Sequence, residues 1–320
     1  MNQNVNHMDH VLWLCRLENI ESYVKELSAL TGRSFHGPVD RADLGARVFI
    51  SWEGGLEIIA PLDMDTPFTT QCRARLEQKG EGLWTVVFGV PDIGQARARA
   101  ERLGYQTSDL IENPPDAPWQ HQTRVMKESV VGEFMNTGFV FGEIEYEAGV
   151  FVTARHKPDG SKTSQNIDHL NHLIWLCRLE NLERYAAQLG ALTGHGLRGP
   201  FDRTDLGVRV MLSWEGGVQI VAPLDIDTPL TAQCRQDLES RGEGLWSVVF
   251  GVPDLAQARA RAERLGYQIS DIIERSEGAP WEHQTPVMRE TLVGTFMNGG
   301  FIFGQVEYAD GVFQTEKKSA

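Results

Sequence analysis

Over most of its length the chain switches between short runs with a two-residue apolar period and longer segments with apolar residues every three or four positions. The first spacing is that of strands and the second that of helices. In the first half "HVLWLCRL" is strand-like. "NIESYVKELSALTG" sets Ile20, Tyr23, Val24, Leu27 and Leu30 at helical spacing, with Gly32 just past the end. "ARVFISWEGGLEIIAPL" predicts two strands around a Gly-Gly turn, and "DTPFTTQCRARLEQKG" a short helix. "GEGLWTVVFGVPD" predicts a strand leading to the N-cap Asp92, and "IGQARARAERLG" a helix closed by Gly104. "YQTSDLI", "TRVMKESVVGEF" and "GFVFGEIEY" predict three further strands.

The same pattern then starts again. Residues 9–146 align without a gap to 171–308 at a constant offset of 162, and the eight Trp fall into the pairs Trp13/Trp175, Trp52/Trp214, Trp84/Trp246 and Trp119/Trp281. A period this long marks a duplicated domain, not a solenoid. The stretch 155–167, "RHKPDGSKTSQNI", is polar and predicts a linker. The expected division is a first domain over 1–150, a linker over 151–170 and a second domain over 171–320. Each half reads as two β-α-β-β-β units, an α+β fold in tandem.

Length and composition narrow the function. A chain of 320 residues, 41% apolar, can build two cores. No run approaches the roughly 18 apolar residues that span a bilayer. The N-terminus lacks a basic segment followed by an apolar one, so no secretory signal is expected. A net charge of −14 opposes nucleic-acid binding. The four cysteines form no CxxC pair and read as reduced and structural, which points to the cytoplasm. Walker, dinucleotide-glycine, GxSxG and HExxH motifs are absent.

The order of elements, with "LEIIAPLDMDTP" followed by "GEGLWTVVFGVPDIGQARARAERLGY", resembles the vicinal oxygen chelate superfamily, closest to its epimerase-like and glyoxalase-like branch. That resemblance covers nearly the whole chain. It implies paired units curled into a cup of mixed β-sheet with helices outside. It further implies a divalent metal (Zn, Fe, Ni, Co or Mn) held by one side chain on each of four strands, with open positions for adjacent substrate oxygens. Carried over position by position, the first half supplies His10, Glu57 and Glu143 as ligands, with Thr85 where the family has its second His. The second half supplies His172 and Gln219, with Ser247 and Gln305 at the remaining places. Thr and Ser are poor ligands, so the expected set is broken at one position in the first half and at more in the second. Glu145 and Glu307 lie two residues beyond Glu143 and Gln305, and the register of the last strand stays open by that step.

Glu143 doubles as the expected catalytic base. His121 and His283, in "PWQHQT" and "PWEHQT", are candidates for a replacement ligand or a general acid/base, against the plainer reading of loop histidines beside a packed Trp. Trp13 and Trp84 stack on a planar ligand or fill the core. Strict alternation lets only one of Trp84 and Thr85 face the cup. Thr85 and Ser247 are substrate-facing candidates, and Arg47 (with Arg209) a partner for a substrate carboxylate. Three functions compete. The first is a glyoxalase- or epimerase-type lyase or isomerase moving a proton beside a metal-bound carbonyl. The second is an extradiol-type dioxygenase of a catechol, and the third a metal-free binder of an apolar or aromatic molecule. In each case the expected partner is a small molecule. The duplication predicts an intrachain pseudo-dimer, with a homodimer also open.

Overall fold

The computed structural model describes residues 3–113, 117–150, 155–156, 163–165, 167–275 and 277–312. The first half runs β1 (His7–Leu14), α1 (Ile20–Thr31), β2 (His36–Arg41), β3 (Ala46–Ser51), β4 (Leu56–Pro61), α2 (Pro67–Lys79), β5 (Gly82–Gly89), α3 (Ile93–Arg102), β6 (Ile111–Glu112), β7 (Thr123–Phe134) and β8 (Thr137–Tyr146). Two short strands follow, β9 (Arg155–His156) and β10 (Thr163–Gln165). The second half runs β11 (Leu170–Leu176), α4 (Leu182–Thr193), β12 (Arg198–Arg203), β13 (Val208–Ser213), β14 (Val218–Pro223), α5 (Pro229–Ser240), β15 (Gly244–Gly251), α6 (Leu255–Arg264), β16 (Ile273–Glu274), β17 (Val287–Phe296) and β18 (Gly299–Ala309). The fold is α+β with tandem duplicated domains.

The first sheet has the order β2-β3-β4-β1-β5-β8-β7-β6. β1 pairs parallel with β4, β5 parallel with β8, and β1 antiparallel with β5 at the centre. The second sheet repeats this plan, with β10 also pairing along β18. Residues 151–154, 157–162 and 166 of the predicted linker lie outside the described residues.

Local chemistry explains the boundaries. Thr66 caps α2 through a reciprocal pair with Thr69, and Pro67 occupies the first turn. Asp92 accepts the Gln95 N–H at the start of α3. Gly32 ends α1 in the left-handed region, at φ 75°. The apolar pattern passes over β2 and its counterpart β12, as it does the short β9 and β10 within the predicted linker, because "HGPVDR" is a polar edge with only Arg41 buried. "YQTSDLI" is strand only at its last residue.

Each sheet divides its side chains between two cores. On β1, Leu12 and Leu14 join the cluster that lines the first cup, while Val11, Trp13 and Cys15 join a second cluster on the other face. That second cluster is common to both halves. Trp13 meets Phe296 edge-on at 5.6 Å, and Phe134 meets Trp175 at 6.1 Å. Cross-contacts recur in pairs at the repeat offset. Arg99 reaches the Leu192 carbonyl as Arg261 reaches Leu30, and Asn136 donates to Glu243 O as Asn298 donates to Glu81 O. Gly55 and Gly217 sit at φ +65° and +64°, and a Cβ on either would lie 2.6 Å from the ring of His169 or His7. Glycine is needed there twice over, for backbone sign and for space.

Candidate functional site

The first cup opens into a cavity of about 160 Å³ whose floor is polar and whose walls are Trp52, Trp84, Trp119 and Phe68 with aliphatic side chains. His10 stands on the floor. Its position on β1 shares a face with Leu12, so the imidazole enters the cup although the strand is otherwise apolar. Its Nδ1 lies 2.9 Å from Asp9 Oδ1, which also accepts the Tyr146 hydroxyl at 2.7 Å. Its Nε2 faces the cavity, 3.3 Å from Glu57 Oε2 on β4 and 3.6 Å from Glu128 Oε1 on β7. Trp52 packs edge-on against the ring at 5.6 Å.

Burial by itself would lower the His10 pKa, but hydrogen bonds to Asp9 and Glu57 and the charges of Glu128 and Asp9 raise it to about 10. The Glu128 carboxyl is pushed up to about 7 by burial, with His10 pulling it down and Glu57 and Asp9 pushing it further up. Arg41, 7% exposed, lines the same cavity and is held in a two-pronged pair with Asp43 at 2.9 and 2.7 Å.

Among the described residues no group of three or more His, Cys, Asp or Glu forms a ready-made cage for an ion. The His10 imidazole closes onto Glu57 instead. The donors nevertheless suit a divalent ion in kind and spacing. Ligand atoms 3.3–3.6 Å apart on bonds of ~2.1 Å subtend roughly 100–120° at a shared ion, close to the tetrahedral angle. Fixing Nδ1 on Asp9 leaves Nε2 as the donor toward the cup, the arrangement that metal-binding histidines adopt.

Several predicted site residues lie elsewhere. Glu143 faces the outer side of β8 with Phe139 and Phe141, and its carboxylate accepts the Ile93 N–H at 3.0 Å at the start of α3. Glu145 shares that outer face and pairs with Arg124. The acid that meets His10 is Glu128, opposite Gly142 on the neighbouring strand. Trp13 is buried against Phe296 on the face shared by the two halves, away from the cup. His121 is exposed outside the cavity, its ring 6.0 Å from His36. Arg47 is spent on a bidentate pair with Asp40 at 2.7 and 2.9 Å.

Trp84 and Thr85 both line the cavity. Alternation fails there because Leu12 pairs with Thr85 while Trp13 pairs with Leu83, so Trp84 is the extra residue of a β-bulge. Glu128 was within reach of sequence reasoning. It sits in phase with Met126 and Val130 on β7, and the repeat keeps it as Glu290 between Met288 and Leu292, whereas Glu143 becomes Gln305.

The second cup encloses about 80 Å³. It keeps His172 and Glu290 in the places of His10 and Glu128 but replaces Asp9 by Asn171 and Glu57 by Gln219. His172 is pushed down to about 3, chiefly by burial, and Glu290 up to about 7 for the same reason. Their facing atoms are 3.7 Å apart. The second cup thus offers one carboxylate beside a neutral imidazole and an amide. Ser247 is buried against Gly300 and does not line this cavity, whereas the bulge residue Trp246 does.

No protein-family model matches the chain, and no curated protein matches it in sequence. Solved structures do match it in shape. A triple mutant of 4-hydroxymandelate synthase from Streptomyces coelicolor aligns over 97% of this chain and 95% of its own, with TM-score 0.63 and 13% identity. The 2,2',3-trihydroxybiphenyl 1,2-dioxygenase of Sphingomonas wittichii aligns over 98% and 91%, with TM-score 0.53 and 12% identity. A fusion of a xylose isomerase-like TIM barrel with a 4-hydroxyphenylpyruvate dioxygenase aligns over 96% of this chain at TM-score 0.59 and 12% identity. The chain spans 50% of that protein's length. The fold is that of the vicinal oxygen chelate superfamily.

Proposed function

We propose that the first cup is the active site of a divalent-metal-dependent enzyme of the oxygenase type, acting on a small aromatic substrate that presents adjacent oxygens. The observation that carries this is the convergence of His10 Nε2, Glu57 and Glu128 on the floor of a Trp-walled cavity. His10, Glu57 and Glu128 would hold the ion, which supplies Lewis acidity toward paired substrate oxygens and, as iron, access to dioxygen. Asp9 keeps the imidazole turned. Trp52, Trp84 and Trp119 hold a flat ring and keep water out. Thr85 offers a hydroxyl to a substrate oxygen where the family has its second His. In these roles the residues act by binding, orienting and holding protons.

One observation favours a second reading, proton transfer of the glyoxalase or epimerase type. Glu128 titrates near 7, where a carboxylate serves best as a general base at neutral pH. One test separates the two. The purified chain is loaded with Fe(II) or Zn(II) and analysed for metal, then assayed for oxygen uptake with a catechol and with 4-hydroxyphenylpyruvate. Near-stoichiometric metal in the wild type, lost in His10→Ala and Glu128→Gln but kept in His172→Ala, supports the site. Oxygen uptake with iron alone selects the oxygenase. Failure to take up either ion, or uptake indifferent to His10 and Glu128, overturns the assignment.

A further inference from the structure

We propose that the second cup is a separate, metal-free site for a small neutral aromatic molecule carrying one hydroxyl, a phenol in class. The pocket is walled by Leu212, Trp214, Trp246, Trp281 and Met288, and Glu290 and Gln219 reach it from the floor. Glu290 is 8% exposed, and its Oε1 has no hydrogen-bond partner. Across from it at 3.7 Å is His172 Nε2, fully buried, with the Gln219 amide beside it. The other ring nitrogen lies 2.9 Å from Asn171 Oδ1, which also accepts the Tyr308 hydroxyl at 2.9 Å. An amide oxygen cannot donate, so the imidazole proton sits on Nδ1 and Nε2 is an acceptor turned to the Gln219 amide.

The buried Glu290 Oε1 thus faces the cavity with no donor. Native interiors rarely leave such an atom unmatched. A hydroxyl entering from the cavity donates to it and accepts from the Gln219 amide. The ring behind it lies against three indoles and a thioether, surfaces suited to a flat apolar body. Charge selects the same class. Glu290 repels an anion, and Arg203, which lines the cavity, repels a cation. A divalent ion finds one carboxylate, where the first cup offers two together with a third behind the imidazole. This site stands whether or not the first cup holds a metal.

The test uses the full chain, treated with chelator and labelled with 5-fluorotryptophan. The fluorine signals of Trp246 and Trp281 report the second cup, and those of Trp84 and Trp119 the first. Phenol and benzene are the probes. The expected result is that phenol moves the Trp246 and Trp281 signals, with an affinity at least about ten-fold above that of benzene because only phenol supplies the missing donor. Glu290→Leu should abolish that preference while its near-ultraviolet circular dichroism stays native. Gln219→Leu is the second variant, expected to weaken phenol several-fold and leave benzene unchanged. Equal binding of the two probes, second-cup signals unmoved by phenol up to its solubility, or a phenol preference that survives both folded variants overturns the proposal.

Discussion

Asp9 and Asn171 occupy matching places beneath the two cup histidines and hold them at the same 2.9 Å, yet one carries a charge and the other does not. With Glu57 against Gln219, this sets the first cup two carboxylates above the second. A carboxylate behind a ligating imidazole raises its basicity and fixes its tautomer. Asp9→Asn makes the first cup resemble the second at one atom, and the expected result is a loss of roughly 10–100-fold in divalent-metal affinity without loss of fold. Competition against a chromogenic chelator measures it, and an unchanged affinity would detach Asp9 from the metal. His10 and Glu57 were reached in the sequence through the family resemblance, position by position, and both line the cavity. That Trp84 and Thr85 would face it together was not legible, since a bulge breaks the alternation on which such a reading depends, and no residue at 83–85 announces it.

At the level of elements, the last hairpin is where sequence and structure part. The family pattern places an acid on β8, but here β8 turns glycine and valine to the cup at Gly138 and Val140, and the acid comes from the adjoining β7. Glu143 serves α3 instead. Its counterpart Gln305 accepts the Leu255 N–H at 3.3 Å in the same way, which explains why the repeat tolerates an exchange of Glu for Gln. What that position requires is an acceptor, not a charge. Glu143→Gln should therefore leave stability nearly unchanged. Glu143→Ala should cost about 1 kcal/mol, the usual scale for losing a helix N-terminal acceptor. Urea denaturation reads the difference, and metal uptake should be the same in both variants. A loss of metal in Glu143→Ala would restore it to the site. The helices and central strands were legible because their caps and periods agree, whereas β2 was not, being a polar edge strand with Pro38 inside it.

For the whole molecule, the junction between the two halves is built on buried histidines, and this gives stability an acid limit. His7 lies between the carbonyls of Glu215, at 3.1 Å, and Asn171, at 3.0 Å, and His169 lies 3.0 Å from the Glu53 carbonyl. Burial pushes His7 down to about 4 and His169 to about 3. Both values lie below the unfolded value near 6.5, so between them the unfolded chain binds more protons than the folded one. The stabilisation is complete above pH 6.5 and is lost as the pH falls toward 4 and 3, with His7 alone accounting for about 3 kcal/mol at ~1.4 kcal/mol per unit. His10 acts in the opposite sense. Its folded value near 10 lies above 6.5, so in chelator-treated protein its contribution is full below pH 6.5 and disappears as the pH rises through 10. The urea midpoint should accordingly pass through a maximum close to pH 6.5. Replacing His7 and His169 together by Gln should make the arm between pH 6.5 and 5 shallower, above the range where most carboxylates titrate, with the buried His172 keeping part of it. His10→Gln should flatten the alkaline arm and leave the acid one intact. An acid arm of equal slope in the double variant would mean that the seam between the halves does not govern acid unfolding. The resistance below pH 6.5 would then have to come from carboxylates elsewhere in the two sheets.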